Sequence, residues 1–407
     1  MKHFETDLER RLTVIREQGL YRELRRVDSP QATRIEIAGK RLLNFSSNDY
    51  LGLANHPALK AAALKAIETF GAGSGASRLI CGSLAPHHEL EEALAAFKGT
   101  AAALAFSSGY ATALGAIGAL LGKDDVIVID QLVHASIVEA ARLCGAKLRS
   151  FDHNALDDLE KILKWADHKI RTPNSEPRNR RVLIVTESVF SMDGDVAPLL
   201  DLVQLKEKYG AWLMLDEAHA TGLFGEQRRG LAEAFGVEER IEIQMGTLGK
   251  ALGAAGGYIC GSRALVDLLI NRARSFIFST APVPAAVAAA RAAIQLVQSD
   301  EGERRRQVLW ARVDQIKNSL VQLGWPLPPV RSAIIPLLIG DETKAVEISA
   351  ALRAQGVFIP AIRYPSVARG AARLRLTVTA SHLESDAAEL VLALRSIAPR
   401  PSPLAHA

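Results

Sequence analysis

The sequence predicts an α/β protein, with a mostly parallel central sheet covered by helices on both faces and a smaller C-terminal α/β domain. Three observations predict it. Short continuous apolar runs, among them Val126-Ile-Val-Ile-Asp130, Val182-Leu-Ile-Val-Thr-Glu187 and Trp212-Leu-Met-Leu-Asp216, read as strands buried on both faces. Stretches with helical spacing separate these runs, as crossovers between parallel strands require. Polar residues recur just after the strand ends: Ser108, Asp130 with His134, Glu187 with Ser191, Asp216 with His219, and Thr247 with Lys250. Open α/β sheets bind ligands at that edge, so these groups predict one active site.

At 407 residues the chain is too long for one simple core. Four segments are expected: an N-terminal arm over 1–50, a large domain over 51–284, a small domain over 285–398 and a frayed tail over 399–407, where Pro399, Pro401 and Pro403 stand. The apolar fraction of 48% and charged fraction of 23% are those of an ordinary soluble protein. A net charge of +4 makes no case for nucleic-acid binding, and a mildly basic surface suits an anionic substrate. Cys81, Cys144 and Cys260 are odd in number and widely spaced, which fits reduced thiols in the cytoplasm. The N-terminus carries charges of both signs and is not a signal peptide. No membrane span is expected, because the longest apolar stretch, 283–297, is broken by Pro284 and Arg291.

Residues 4 to 25 place Phe4, Leu8, Leu12, Ile15 and Leu20 near one helical face. Arg22, Arg25 and Arg26 follow, and by themselves read as a solvated basic face. Residues 35–45 alternate around Gly39 and predict a β-hairpin. Ser46-Ser-Asn-Asp-Tyr-Leu-Gly-Leu53 is a polar turn with a buried Tyr-Leu anchor, and His56-Pro57 opens a helix to about residue 70. Four glycines between Gly71 and Gly82 forbid a stable helix or strand there. No Lys-Ser/Thr follows them, so the segment reads as a site-lining loop rather than a phosphate cradle.

Strands are then expected over 101–106, 126–130, 147–151, 182–187, 212–216, 241–245 and 256–260. Helices alternate with them over 111–121, 134–144, 156–165 and 198–209, and residues 167–181, polar and basic with two prolines, read as a surface loop. Beyond Pro282 and Pro284 come helices to about 298 and over 304–323, a strand over 333–339, and a helix over 343–355 closed by Gly356. Strands over 357–360 and 372–378 precede a last helix to about 397, with Ser381 and Glu384 as its capping box.

The most informative stretch is Thr247-Leu-Gly-Lys-Ala-Leu-Gly253, a lysine on a small-residue turn. Upstream runs Leu213-Met-Leu-Asp-Glu-Ala-His219. Asp-Glu-Ala-His also occurs in nucleotide-hydrolysing helicases, where a G-x-x-x-x-G-K-[S/T] loop lies upstream. Here Gly249-Lys250 lies downstream, Ala251 follows the lysine, and Gln244 stands where the first glycine belongs, so that reading fails. A zinc site is poor because Asp216 and His219 lack a further matched ligand set. The reading that remains is pyridoxal phosphate (PLP), with Lys250 as the amine that forms its Schiff base. Asp216 would keep the pyridine nitrogen protonated, although an acid at a strand end is as readily a helix cap. His134 is placed to stack on the ring, or to sit satisfied at its helix N-terminus. Ser108, Gly109 and Tyr110 offer helix N-terminal amides to the phosphate. Thr247 adds a hydroxyl there, and Ser191 and His219 reach toward the ring's phenolic oxygen.

Together these motifs resemble the α-oxoamine synthases, PLP enzymes of fold type I, over about residues 20 to 395. The specific pieces are Ser46 to Leu53, Gly73-Ser-Gly-Ala-Ser-Arg-Leu-Ile80, Glu187-Ser-Val-Phe-Ser-Met-Asp-Gly-Asp195, Asp216-Glu-Ala-His219, Thr247-Leu-Gly-Lys250 and Ala372-Arg-Leu-Arg-Leu-Thr377. The resemblance implies a homodimeric cytoplasmic acyltransferase with Lys250, His134 and Asp216 as its catalytic set. It implies that Gly109, Tyr110, Ser191, His219 and Thr247 also contact PLP. Arg363 would hold the substrate carboxylate, helped by Asn48, with Arg22 and Ser366 also binding substrate. Ser366 stands where threonine is frequent in the branch, and keeps its hydroxyl. Thr280 would reach a neighbouring subunit's phosphate. The Gly-Ala-Ser-Arg-Leu-Ile and Met-Asp-Gly-Asp-x-Ala-Pro-Leu runs point to the branch that condenses L-alanine with pimeloyl-CoA or pimeloyl-carrier protein, releasing CO2, in biotin biosynthesis. Glycine C-acetyltransferase is the rival within the family. A PLP fold that has lost catalysis is the rival outside it, and the intact Lys250, Asp216 and His134 set argues against that.

Overall fold

The computed structural model describes residues 2–170 and 181–397. The first residues of the expected loop over 167–181 lie instead in a helix, Leu156–Ile170. Most of the remainder of that loop, like the expected tail at 399–407, lies outside the described residues. The chain divides into two compact units. One, the larger, comprises Asn48–Ser191 and Asp195–Gln307; the other comprises the chain up to Ser47, Met192–Gly194, and the chain from Val308 on.

The larger unit is built on a seven-stranded sheet. In spatial order its strands are Ala102–Phe106, Gly257–Gly261, Ile243–Thr247, Trp212–Asp216, Val182–Glu187, Val126–Asp130 and Lys147–Phe151. All run parallel except Gly257–Gly261, which is antiparallel to both neighbours. Alternation along the central strands Val126–Asp130, Val182–Glu187 and Trp212–Asp216 sends side chains to two separate cores. Ile127, Ile129 and Met214 join helices Gly109–Leu120 and Ala135–Leu143 on one face. Val128, Leu213 and Leu215 join helices Leu156–Ile170 and Leu199–Tyr209 on the other. Each fully buried aliphatic side chain contributes about 1.5–3 kcal/mol, which is why these strands read as continuous apolar runs.

Two features of this unit were not anticipated. Helix Ala85–Lys98 buries Leu90, Leu94 and Phe97 at helical spacing and ends on the left-handed Gly99. Helix Pro284–Gln298 packs on Pro57–Phe70 and Ala85–Lys98, so it belongs to the larger unit. The unit therefore ends at Gln307, inside helix Asp300–Gln322, rather than near 284.

The second unit holds two three-stranded sheets. Arg34–Ile37 and Lys40–Asn44 form the expected hairpin around Ala38 and Gly39, both with positive φ, as a tight hairpin turn demands. Val357–Phe358 adds parallel to Lys40–Asn44, which builds the hairpin into this unit rather than into a separate arm. The other sheet pairs Ile334–Gly340, Ala372–Thr377 and Ala361–Ile362, all antiparallel. The N-terminal helix stops at Glu17, not 25, because Gly19 turns left-handed and the Gly19 and Leu20 amides close back on Arg16 and Ile15. The last helix, Glu384–Arg395, is capped two residues later than expected. Asp386 accepts the Leu383 N–H at 2.9 Å, and Ser381 and Glu384 do not form the box.

Candidate active site

The lysine turn is held by its own small residues. Thr247 closes its strand; its hydroxyl donates to the Gly256 carbonyl at 3.0 Å and accepts the Gly249 N–H at 3.2 Å. Gly253 has φ +60, and a Cβ there would lie 2.5 Å from the Ala54 nitrogen. Glycine at 253 thus lets the turn close onto Leu53 and Ala54, at the end of the segment that begins at Asn48. Asp49 fixes that segment by accepting the Leu53 and Ala54 N–H groups at 2.7 and 3.0 Å.

Lys250 Nζ lies 2.8 Å from His219 Nε2, and the other ring nitrogen, Nδ1, lies 2.5 Å from the Tyr50 hydroxyl. Tyr50 and His219 are buried. His219 reaches this position from the turn after Asp216, where Asp216 Oδ1 accepts the Ala218 N–H at 2.9 Å. The intervening Glu217 turns the other way and pairs with buried Lys98.

Asp216 stands in register with Glu187 on the neighbouring parallel strand. Both carboxylates are buried, and burial pushes both above the ordinary carboxylate range. For Glu187 the nearby Asp216 charge adds to the rise; Lys250 opposes it at both. Such a site favours a further positive charge, which a protonated pyridine nitrogen would bring. His134 caps helix Ala135–Leu143, with Nδ1 2.8 Å from the Ser136 hydroxyl, and its own N–H donates to Glu187 at 2.5 Å. Burial lowers the His134 pKa, so the imidazole is neutral and suited to lie against an aromatic ring.

The start of helix Gly109–Leu120 adjoins Thr247. Ser108 caps helix Gly109–Leu120 by accepting the Ala111 N–H at 3.0 Å, and the other amides of the first turn have no partner within the helix itself. A Cβ on Gly109 would lie 3.9 Å from Thr247 Cβ, so the helix start and the lysine strand meet there. Gly257 permits this contact, since a Cβ at that position would stand 2.8 Å from the Gly109 backbone. Tyr110 is exposed and its hydroxyl donates to Glu139. Ser191 is buried, and its N–H donates to Glu187.

The larger unit thus gathers Asn48, His134, Asp216, His219, Thr247 and Lys250 with two residues to which no site role attaches in the sequence. Tyr50 reads there only as a buried anchor, and Glu187 only as a polar strand end. The register between the strands ending at Glu187 and Asp216 is the signal that would have singled out Glu187. Arg22, Arg363 and Ser366 belong to the other unit and gather there. Arg22 donates to the Tyr364 carbonyl at 3.1 Å, Arg363 to the Tyr21 carbonyl at 2.8 Å, and the Ser366 N–H to the Arg363 carbonyl at 3.0 Å. Partial burial, with Arg22 and Arg25 beside it, lowers the Arg363 pKa. A bound carboxylate would relieve both effects.

Known proteins resemble this chain in sequence and fold. The model of the family "aminotransferase class I and II" matches residues 40–394. The 8-amino-7-oxononanoate synthase of Geobacter sulfurreducens is 48% identical over 95% of this chain and 96% of its own. That of Bacillus pumilus is 43% identical over 95% of each chain. Among solved structures, serine palmitoyltransferase from S. paucimobilis, with a bound PLP–myriocin aldimine, superposes with a TM-score of 0.88 at 29% identity, covering 96% of each chain. The 8-amino-7-oxononanoate synthase of Francisella tularensis gives 0.72 at 25% identity, over 88% of this chain and 97% of that one. The central sheet is that of the fold type I PLP-dependent enzymes. The chain belongs to the aminotransferase class I and II family.

Proposed function

We propose that this PLP-dependent acyltransferase condenses L-alanine with pimeloyl-CoA, or a pimeloyl-carrier protein, to give 8-amino-7-oxononanoate, CO2 and the free thiol, in biotin biosynthesis. The observation that carries the reading is Lys250 Nζ beside His219 at the strand edge where buried Asp216 and Glu187 end. PLP, when bound, supplies an electron sink for negative charge at the amino-acid α-carbon.

The chain's own residues do the rest. Lys250 Nζ holds the cofactor, takes the α-proton of alanine, and returns a proton after CO2 is lost. Asp216 holds the proton on the pyridine nitrogen. His134 lies against the ring, and Ser191 and His219 hold its phenolic oxygen. Gly109, Tyr110 and Thr247 hold the phosphate. Arg363 clamps the substrate carboxylate as a planar two-toothed donor, with Arg22, Asn48 and Ser366 in support.

The working form is a homodimer in the cytoplasm. Support for pairing comes from Ile80 and Phe278, which are 78% and 71% exposed on segments joined by a bridge between Ser77 and Thr280. No helix among the described residues is long and apolar enough to cross a membrane.

Steady-state assays with alanine plus pimeloyl-CoA against glycine plus acetyl-CoA test the substrates; preference for the second pair would overturn this reading in favour of glycine C-acetyltransferase. A visible absorbance band on PLP addition, absent in Lys250→Ala, tests the amine. A wild type without that band would overturn the role of Lys250.

A further inference from the structure

We propose that Tyr50 is a positioning residue that acts through His219 to set the proton state of Lys250. The side chains form one chain of contacts: Asn48 Oδ1, then the Tyr50 hydroxyl at 3.5 Å, then His219 Nδ1 at 2.5 Å, then His219 Nε2 to Lys250 Nζ at 2.8 Å. Tyr50 and His219 are 1% and 5% exposed, so the chain is shielded from water at its middle. The inference rests on Lys250 being the amine that holds PLP.

A neutral imidazole carries one hydrogen, so its two faces are complementary. When the Tyr50 hydroxyl donates to Nδ1, the ring hydrogen sits on Nε2 and points at Lys250 Nζ, which must then be the neutral amine. When Lys250 is an ammonium it donates to Nε2, the ring hydrogen moves to Nδ1 and donates to the tyrosine oxygen, and the tyrosine hydrogen turns to Asn48. Passing between these settings exchanges one proton with solvent and switches the tautomer. Both settings use the short Tyr50–His219 contact, but a phenol hydroxyl donating to an imidazole nitrogen makes a stronger bond than a ring N–H donating to a phenol oxygen, and the 3.5 Å reach to Asn48 in the second setting adds little. Tyr50 therefore favours the neutral amine, the state that attacks an aldehyde and accepts a proton from carbon.

The geometry of the turn keeps the phenol in place. Tyr50 stands beside Asp49, which accepts two backbone N–H groups, and the same turn packs on Gly253 of the lysine segment. His219 meets the tyrosine ring edge-on, with centroids 5.9 Å apart. The hydroxyl therefore adds a proton bias to an alignment that packing already supplies, and Tyr50→Phe removes the bias while leaving the ring.

The test follows the rate at which the full-length chain, freed of PLP and then resupplied with it, develops its visible band as a function of pH. In Tyr50→Phe the half-maximal rate moves to higher pH by about half a unit or more, since the amine reverts toward an ordinary lysine. In a His219→Asn background the same change shifts nothing further. An unchanged or lowered midpoint in a folded Tyr50→Phe variant overturns the proposal, as does an equal shift in the His219→Asn background. Nitrogen NMR of the histidine rings gives a readout that needs no change at position 50. The wild-type His219 ring, identified by its loss in His219→Asn, is expected as the Nε2–H tautomer, and finding Nδ1–H overturns the proposal. If the wild type shows no Lys250-dependent band at all, the PLP assignment of Lys250 has failed rather than the role of Tyr50.

Discussion

Replacing Lys98 with methionine tests how the strand-end carboxylates are held in place. Lys98 and Glu217 form a buried pair with side chains 1% and 0% exposed. Lys98 also donates to the Arg229 carbonyl at 2.5 Å, and Glu217 accepts the Ala232 N–H at 2.9 Å. Methionine nearly conserves length and volume, so the loss is electrostatic rather than a cavity. Removing one member of a buried pair costs about 3–5 kcal/mol, because the remaining charge sits where water cannot solvate it. At about 2–4 °C per kcal/mol for a unit of this size, the melting temperature of Lys98→Met falls by on the order of 10 °C. Glu217 sits between Asp216 and the Ala218 amide that caps it, so the variant also needs more PLP for half-saturation. The double variant Lys98→Met with Glu217→Leu removes both charges and recovers most of the lost stability. Thermal melts of the three proteins, with and without PLP, measure this. A single-variant loss below about 1 kcal/mol, or a double variant no more stable than the single one, refutes the reasoning.

Two further outcomes are expected. His153 lies between Asp130 and Asp195, at 3.0 and 2.7 Å; burial alone would lower its pKa, but the two carboxylates outweigh it and push it up to about 10 from 6.5. The stability it contributes is complete below about 6.5 and is lost as pH rises through about 10, so the melting-temperature gap between wild type and His153→Gln narrows over that window; a gap constant with pH contradicts this. Arg363→Lys replaces a two-toothed donor with a point charge, and raises KM for alanine by about 10- to 100-fold with a smaller change in kcat; an unchanged KM in steady-state kinetics argues against a carboxylate clamp at Arg363.

Much of the fold is legible in the residue pattern because strands buried on both faces must be apolar throughout. The predicted spans 126–130, 182–187 and 212–216 match the observed strands residue for residue, and so does 147–151, although that edge strand leaves Lys147, Arg149 and Ser150 exposed. Helix Ala85–Lys98 is harder to read, since its apolar face is interrupted by His87, His88 and four glutamate or lysine positions. The reversed direction of Gly257–Gly261 is not readable at all, because an apolar strand has the same side-chain period in either direction. The boundary near 307 depends on which helices Pro284–Gln298 packs against, and its alanine-rich sequence would suit either unit.

By itself the sequence determined the α/β class, the strand ends that carry polar groups, and Lys250 as the amine on a turn of small residues. These are local properties: periodicity, glycine placement and the order of motifs along the chain. Tertiary structure alone decided that Tyr50 reaches His219 across 169 positions and that Glu187 supports the His134 backbone. It also turned Glu217 away from the site toward Lys98, although Glu217 is adjacent to Asp216 in sequence. The physical reason is that hydrogen bonds and buried charges are satisfied by whatever packing brings within about 3 Å, and sequence separation places no bound on that distance.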